Sequence, residues 1–500
     1  MRLRILLLFT LLCCKSLLFS QTIVPNPSKS DFAGTLSFLA SDWMQGREAT
    51  QKGGFMASEY IASMMGLYQL VPYNPESGYY QDFKIKEHKV KKASLEIKKG
   101  QETVLLSPNA DFQITPTAQS LQKESQIVFA GYGLSLPQQN YDDYKNQNIK
   151  DKIVVVLNGF PGHQDSTSVN YKKLNPLFPE QNDLEDLKLQ TAISKGAIAL
   201  IIIEPKGKFK PQNAKKNTVF HSLENSTITS IPVFKISNSA AEKLLSGTNI
   251  SLSSMEKKSA QKLTIATTLL KNTKVNFSIE LQSQSFPVRN VLGMIPGKDT
   301  TKTIIVGAHY DHLGIINDSI YNGADDNASG TSGMLALAKK WSESKAKPQF
   351  NMLFASWTAE EMGLLGSEYF VQHFDFENQK ILLAINMDMI SRSAPEDKMH
   401  RILSIGTQKG SDHLQEMINF SNHKLSKPFA LDLWETNGHT GSDYASFTAK
   451  GIPIMTVFSG FHEDYHTPRD KTAKVDLDKM QDVLFIVNNS LLRFIENQHN

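Results

Sequence analysis

The sequence predicts an α/β fold in which a mostly parallel, doubly wound sheet is covered by helices on both faces and carries a smaller inserted α/β unit. From residue 287 onward, short apolar runs of strand length alternate with segments that have the periodicity of helices. The apolar runs are continuous, which is typical of strands buried on both faces. Residues 124–262 show the same alternation on a smaller scale and predict the inserted unit.

The composition is that of a globular protein that is too long for one ordinary domain. The chain has 500 residues, of which 40% are hydrophobic and 21% are charged, and such chains usually form two or three domains. Residues 1–20 contain three basic residues and no acidic one, which accounts for the whole formal net charge of +3. The neutral remainder gives no electrostatic reason to expect a nucleic acid or an anionic membrane as partner.

Residues 1–20 predict a signal peptide, so we expect export to the periplasm or secretion. Two arginines precede an apolar run at residues 5–12, and Ser20 precedes a suitable cleavage point. The run is too short to cross a bilayer, and no other stretch approaches about 18 apolar residues. We therefore expect no membrane span.

The cysteines, Cys13 and Cys14, both lie within this leader segment. A lipid anchor on one of them is a less favoured alternative, because the preceding Leu11 and Leu12 suit lipoprotein processing poorly. The processed chain would contain no cysteine, so any metal would be bound by His, Asp and Glu.

Residues 30–66 have the spacing of helices. Apolar residues recur three or four positions apart through this segment, and Gly66 favours a helix end. Residues 78–83 then predict the start of a strand.

The inserted unit is predicted from strand-like runs at 126–133, 152–157, 199–203 and 231–236, with helix-like segments at 183–195 and 240–245. This order, with a step through Gly196 and Ala197 into an apolar strand, resembles the protease-associated domain, a small α/β unit inserted in several secreted peptidases. The resemblance implies a main domain formed by residues 21–123 and 263–500. We expect the insert to narrow access to a cleft in that domain.

The last region predicts buried strands at 303–306, 352–357, 382–387, 402–405 and 452–458, with helices from 329, 364 and 411 and at 476–496. Polar segments accompany these strands at residues 307–312, 323–330, 358–363, 386–389 and 464–468. The carboxyl ends of strands in an open α/β sheet form its binding crevice, so we expect the polar segments to converge there.

Buried carboxylates are costly unless they are paired or bind a metal. Two histidines and three carboxylates suit two Zn²⁺ ions that share one carboxylate. The adjacent Glu360 and Glu361 allow a division of labour, in which one binds metal and the other transfers a proton.

The same segments resemble the co-catalytic zinc exopeptidases, metallopeptidase family twenty-eight, which include bacterial leucyl aminopeptidases and aminopeptidase Y. The motifs occur in the family's order and rough spacing, and the resemblance covers residues 287–496 strongly. It implies that the metal ligands are His309, Asp326, Glu361, Asp388 and His466, with Asp326 bridging two Zn²⁺ ions. It also implies Glu360 as the general base, Asp311 as the acid that orients His309, and a cis peptide bond after Asp326.

The chain departs from the family at Ser442-Asp443-Tyr444, where relatives often have histidine in the third position. His439 and Tyr444 remain candidates for oxyanion or substrate contacts, and either could instead be a structural loop residue. His312 lies three residues after His309 on a chain expected to be extended, so we expect it to point elsewhere. His462 is interpreted as a loop residue.

The resemblance favours an aminopeptidase that hydrolyses the N-terminal residues of peptides. A carboxypeptidase or dipeptidase is an alternative and would need an arginine such as Arg392 to grip a terminal carboxylate. A non-catalytic binding protein of the same fold is a remote alternative, because such proteins lose metal ligands. The oligomeric state is not predicted.

Overall fold

The computed structural model describes residues 24–115, 117–178, 181–210, 219–225, 231–263, 267–344, 347–438 and 441–498. The predicted signal peptide and its cysteines lie outside the described residues, and so does the candidate His439. Within the described part of the chain, no helix is both long and apolar enough to cross a membrane.

The α-helices are α1 (Lys29–Leu39), α2 (Lys52–Leu67), α3 (Val169–Leu174), α4 (Gln181–Ser194), α5 (Asn238–Leu245), α6 (Leu252–Ser259), α7 (Gly330–Glu343), α8 (Leu365–Gln372), α9 (Asp412–Asn422), α10 (Tyr444–Thr448) and α11 (Leu477–Asn497). Short 3₁₀ turns lie at Asp42–Arg47, Pro137–Gln139, Asn175–Leu177 and Thr472–Lys474, and a wider helical turn spans Ala324–Ser329.

The strands are β1 (Val71–Pro72), β2 (Tyr80–Lys99), β3 (Glu102–Leu106), β4 (Phe112–Thr115), β5 (Leu121–Phe129), β6 (Ser135–Leu136), β7 (Tyr141–Asp142), β8 (Ile153–Leu157), β9 (Ala199–Ile203), β10 (Val219–Leu223), β11 (Val233–Ile236), β12 (Thr268–Ile295), β13 (Asp299–His309), β14 (Gly314–Ile316), β15 (Ser319–Tyr321), β16 (Phe350–Trp357), β17 (Lys380–Met387), β18 (Ile402–Gln408), β19 (Ala430–Thr436) and β20 (Ile454–Phe458).

The predicted α/β fold is confirmed, and its sheet is mixed with mostly parallel pairs in the region that carries the polar segments. The strand order there is β19-β18-β20-β17-β13-β16-β12. The pairs β20–β17, β17–β13, β13–β16 and β18–β19 are parallel, whereas β18–β20 and β16–β12 are antiparallel. Strands β20, β17, β13 and β16 therefore bring their carboxyl ends to one edge.

Both faces of this sheet are buried, as the continuous apolar runs predict. On β13, Ile304 and Val306 pack into a core with side chains of α1, α2, α7, α9 and α11. The intervening Ile305 faces the other core, where Phe370 of α8 and Phe447 lie. Each strand is thus fixed from both sides, which holds the loops at its end in place.

A second hydrophobic core lies beyond β12, where the sheet continues through β5, β8, β9, β11 and β4. Strands and helices occur there at β5, β8, β9, β11, α4 and α5, close to the segments expected from the sequence. The domain boundaries at 124 and 262 and the likeness to a protease-associated domain stay predictions.

A long antiparallel ribbon connects the two cores, and the sequence predicts only the start of its first strand, at residues 78–83. The 20-residue strand β2 pairs along β12, which has 28 residues. The C-terminal end of β12 pairs with β16, and its N-terminal half pairs with β5. One strand therefore belongs to both halves of the molecule.

Candidate metal centre

The predicted ligands converge at the carboxyl edge of the parallel strands. His309 is the last residue of β13, and Asp388 follows the last residue of β17. Glu360 and Glu361 come shortly after β16, and His466 lies in the loop after β20. Backbone geometry thus delivers side chains from four neighbouring strands to one place.

Asp326 reaches the same place from the turn Ala324–Ser329, which leads into α7. The Asp326–Asn327 peptide bond is cis, as the family resemblance implies. The carboxylate of Asp470 accepts hydrogen bonds from the backbone N–H groups of Asp325 and Asp326 at 3.0 and 3.1 Å. The side chain of Asn327 donates to the carbonyl oxygen of Met387 at 3.0 Å, which ties the turn to the strand that carries Asp388.

Two groups of side chains meet at Asp326. His309 Nε2 lies 3.5 Å from Asp326 Oδ1 and 3.3 Å from Asp388 Oδ1. His466 Nε2 lies 3.1 Å from Asp326 Oδ2 and 3.2 Å from Glu361 Oε2. The second group also contains His312, and in each group one nitrogen or oxygen atom from every residue lies within 4.8 Å of those of the others. Asp326 therefore presents one oxygen to each group.

The chemistry of this donor set fits divalent metal ions. Imidazole nitrogens and carboxylate oxygens are ordinary zinc ligands, and the carboxylates are almost withdrawn from solvent. Burial, together with the charge of Glu361, raises the pKa of Asp326. Although burial disfavours the charged imidazolium, the carboxylates of Asp326 and Glu361 raise the pKa of His466 to about 10. Several carboxylates lie close together and largely buried here, and bound cations would offset their mutual repulsion.

Glu360 lies beside these groups without belonging to either. Its Oε2 is 3.9 Å from His309 Nε2, and its side chain is 12% exposed. Burial raises the pKa of Glu360 well above its usual range, against the opposing effect of His309. A carboxyl group placed in this way can accept a proton from a neighbouring water molecule and hold it.

Asp311 contacts His309 differently from the expectation. His309 Nδ1 lies 3.2 Å from the backbone carbonyl oxygen of Asp311 and 3.9 Å from its carboxylate Oδ1. The carboxylate instead accepts a hydrogen bond from the backbone N–H of Glu360 at 3.1 Å. Burial raises the pKa of Asp311 to about 8. The backbone oxygen is therefore the nearer partner of the imidazole, and the carboxylate supports the loop that carries Glu360.

The expectation that His312 points away from the site is wrong. Its Nδ1 lies 2.7 Å from Glu361 Oε1 and 3.6 Å from Asp326 Oδ2. Strand β13 ends at His309, so the alternation of side chains along a strand no longer applies three residues later. A second histidine within the same short polar segment was the signal that could have indicated it.

His462 belongs to neither ligand group and lies in a loop, as expected, and its side chain is buried. Its Nε2 lies 3.4 Å from Asp325 Oδ2, and the other oxygen of Asp325 accepts hydrogen bonds from Ser391. The sequence reasoning missed the supporting roles of Asp325 and Asp470, because acidic residues near a turn are common without any such function.

Arg392 pairs with Asp464 at 2.9 Å and lies 3.7 Å from Asp470. This ion pair is nearly buried, with the side chains of Arg392 and Asp464 12% and 1% exposed. The guanidinium therefore contacts the carboxylates of the loop beneath the site. It is not available to bind a substrate carboxylate, as the carboxypeptidase alternative would need.

The remaining candidate, Tyr444, begins α10 and lies edge-on to Trp434 with 6.0 Å between ring centres. Its contact with an oxyanion or substrate stays a prediction. The nearby Ser442 was missed, and its hydroxyl donates to Asp388 Oδ2 at 2.7 Å.

The fold and the site together define a class: an α/β protein with a His, Asp and Glu metal-ligand set at the carboxyl edge of its sheet. Residues 290–490 match the model of Peptidase family M28. The match begins near the end of β12 and does not extend to the second core.

Two curated relatives are similar to part of this chain. Leucine aminopeptidase 1 of Ajellomyces capsulatus (strain NAm1 / WU24) is 30% identical over 203 residues, which are 38% of this chain and 52% of the relative. Leupeptin-inactivating enzyme 1 of Streptomyces exfoliatus is 31% identical over 174 residues, which are 34% of this chain and 36% of the relative. The chain spans about half or less of the length of these relatives.

Among solved structures, an aminopeptidase from Aneurinibacillus sp. strain AM-1 has a similar fold. The TM-score is 0.55 at 20% sequence identity, and the match covers 94% of this chain and 95% of that one. At this identity the likeness concerns the fold alone.

Proposed function

We propose that this protein is a metallo-aminopeptidase that removes N-terminal residues from peptides. The observation that carries the proposal is the pair of ligand groups that share Asp326, with the free carboxyl group of Glu360 beside them. The match of residues 290–490 to the model of a peptidase family and the names of the relatives support it. The loss of Arg392 to a buried ion pair speaks against the carboxypeptidase alternative.

We expect two Zn²⁺ ions here, one of which would be held by His309, Asp326 and Asp388 and the other by His466, Glu361 and Asp326. Zinc bound there would supply Lewis acidity for a peptide carbonyl and for water. Glu360 would take a proton from the attacking water and return it to the amine that leaves. Asp311 would hold the Glu360 loop through its backbone hydrogen bond.

Replacing Glu360 by Gln tests the assignment of the base. Glu360→Gln should lower kcat by about 10²–10⁴-fold while the protein still binds its metals, because Glu360 belongs to neither ligand group. Glu377→Gln, at an exposed position after α8, is the matched control and should leave kcat unchanged. A Glu360→Gln variant with normal turnover would remove Glu360 from the mechanism.

Metal dependence and end specificity are tested with the wild-type protein. EDTA should abolish hydrolysis and added zinc should restore it. Peptides with a free N-terminus should be cleaved and N-blocked peptides should not. Cleavage of blocked peptides from the carboxyl end would favour the carboxypeptidase or dipeptidase, and metal binding without any hydrolysis would favour a binding protein.

The organisation and location of the protein are part of the proposal. A leader at residues 1–20 would direct export to the periplasm or secretion, and the unit at 124–262 would narrow access to the site.

A kcat/KM that falls as the peptide substrate lengthens would support a narrowed entrance, and an unchanged length profile would contradict it. Retention of the leader in protein purified from the producing cells would contradict the signal peptide.

A further inference from the structure

His312 is buried next to the metal centre and has no role in the proposed function so far. Its side chain is fully buried, and the ring lies edge-on to that of His466 with 5.6 Å between their centres. A Cβ atom at Gly323 would lie 2.5 Å from the ring carbon Cγ of His312, so the ring fills the space against this glycine. The packing holds the imidazole in one orientation.

The distances separate a metal ligand from a hydrogen-bond donor. Ligands about 2.0–2.1 Å from a tetrahedral zinc ion lie about 3.3 Å from one another. The distances of 3.1 and 3.2 Å from His466 Nε2 to Asp326 Oδ2 and Glu361 Oε2 agree with that spacing. The distance of 2.7 Å from His312 Nδ1 to Glu361 Oε1 is shorter and is that of a hydrogen bond to a charged acceptor.

The two oxygens of Glu361 therefore have different partners. Oε1 faces His312, and Oε2 faces His466 on the side of the shared Asp326. An imidazole that donates to one oxygen of a carboxylate fixes the direction of the other oxygen. Groups that hold metal ligands in this way usually contribute to metal affinity without touching the metal.

We propose that His312 is a positioning residue that donates its Nδ1–H to Glu361 Oε1 and thereby directs Oε2 towards the metal held by His466 and Asp326. This inference rests on the proposed metal centre and names a further residue that the centre depends on. With Oε1 bonded to His312, only Oε2 of Glu361 would be available to the metal.

Two substitutions distinguish the loss of the Nδ1–H donor of His312 from the loss of its imidazole ring. His312→Leu fills a similar volume without a donor, whereas the amide nitrogen of His312→Asn takes the position of Nδ1. Exposed His413→Asn is the matched control. The measurement is metal affinity for the full-length protein by competition with a chromophoric chelator, followed by the visible spectrum of the Co²⁺-loaded protein.

His312→Leu should weaken one of the two metal equivalents by about 10–100-fold, whereas His312→Asn and His413→Asn should retain the wild-type affinities and spectrum. Wild-type affinity for both metals in His312→Leu would overturn the proposal. Loss of the metal in His312→Asn, with a Co²⁺ spectrum that has lost a nitrogen ligand, would also overturn it and make His312 a ligand.

Should His312→Leu fail to fold, His312→Asn decides alone: an unchanged affinity and spectrum support the proposal, and a weakened metal equivalent contradicts it. Failure of the proposed function looks different. A wild-type protein that binds fewer than two metals, or binds both and hydrolyses no peptide, would contradict the function before any variant is compared.

Discussion

Arg47 shows how a residue far away in sequence can support the metal centre. Its guanidinium is fully buried and donates to the carbonyl oxygens of Leu39, Tyr310, Asn322 and Gly323 at 2.7–2.9 Å. Two of these carbonyls lie just before the turn that carries Asp326, and the carbonyl of Tyr310 lies next to His309. Burial lowers the pKa of Arg47 to about 10, against the raising effect of Asp326 and Asp311. The arginine thus ties both ligand-bearing loops to the N-terminal helices.

Replacing Arg47 by Met should lower the free energy of unfolding by at least about 3 kcal/mol, because the carbonyl groups of Leu39, Tyr310 and Asn322 lose a buried donor at a cost of about 1–3 kcal/mol each. The carbonyl of Gly323 keeps the N–H of Ala328. Chemical denaturation of the metal-free protein measures this loss. Arg493→Met is the control, since Arg493 lies over the ring of Phe420 and such a contact contributes about 0.5–1 kcal/mol. Equal losses in the two variants would contradict the role given to Arg47.

At the residue scale, the sequence predicts that polar segments converge because most of them follow apolar strands, and the family resemblance indicates which of their residues are expected to bind metal. The structure brings His309, Asp326, Glu361, Asp388 and His466 together. The contact of His312 could not be predicted, since the backbone changes direction after His309. Nor could the sequence show whether the carboxylate or the backbone oxygen of Asp311 is the nearer partner of His309, because that depends on the path of the loop that carries Glu360.

At the scale of elements, α8 holds the loop that carries Glu360 and Glu361. The helix packs closely at Gly366, where a Cβ atom would lie 2.2 Å from the carbonyl oxygen of Thr358 and 2.5 Å from Asn290 Oδ1. The side chain of Asn290 donates to the Gly366 carbonyl and accepts from the Thr358 N–H. The start of α8 is thereby fixed to the end of β16.

Substituting Gly366 by Ala should destabilise the protein by about 1–3 kcal/mol, because the added methyl group forces the backbone apart. Gly34 in α1 is the matched control, since nothing lies within 4 Å of the position that its added methyl group would take. Gly34→Ala should stabilise the protein by about 0.5–1 kcal/mol. Thermal unfolding of both variants measures the difference, and a neutral Gly366→Ala would show that α8 can shift freely.

The sequence predicts elements well where burial is continuous and poorly where it is not. The apolar strands β13, β16 and β17 could be recognised from composition alone. The ribbon of β2 and β12 could not, because lysines and other polar residues occupy much of it and its partner strands are remote in sequence. A strand that is stabilised mainly by pairing leaves a weak local pattern.

At the scale of the whole molecule, ion pairs join segments that are distant along the chain. Asp397 contacts Lys479 of α11 at 3.1 Å and accepts hydrogen bonds from the backbone of Arg401 and Ile402. Burial by itself would raise the pKa of Asp397, but these backbone groups, Ser393 and Lys479 lower it to about 2.

A carboxyl group whose pKa is lower in the folded state stabilises the protein above its unfolded pKa and loses that effect as the pH falls. Asp397 should therefore contribute at most about 2 kcal/mol at neutral pH, which disappears as the pH falls from about 4 towards 2. Wild type should exceed Asp397→Asn in free energy of unfolding at neutral pH, and the difference should narrow in acid. Denaturation at a series of pH values tests this, and a difference that does not change with pH would contradict it.

Strand β12 also determines how the molecule responds to a protease. This one strand pairs with β5 at its N-terminal half and with β16 at its C-terminal end. The two cores therefore share a strand, and removing it would disrupt the sheet in both. A cut at the exposed Gln261 or Lys262, between α6 and β12, would leave the two pieces held together by the ladder between β2 and β12. Limited digestion should therefore yield fragments that separate on a denaturing gel and still elute together under native conditions.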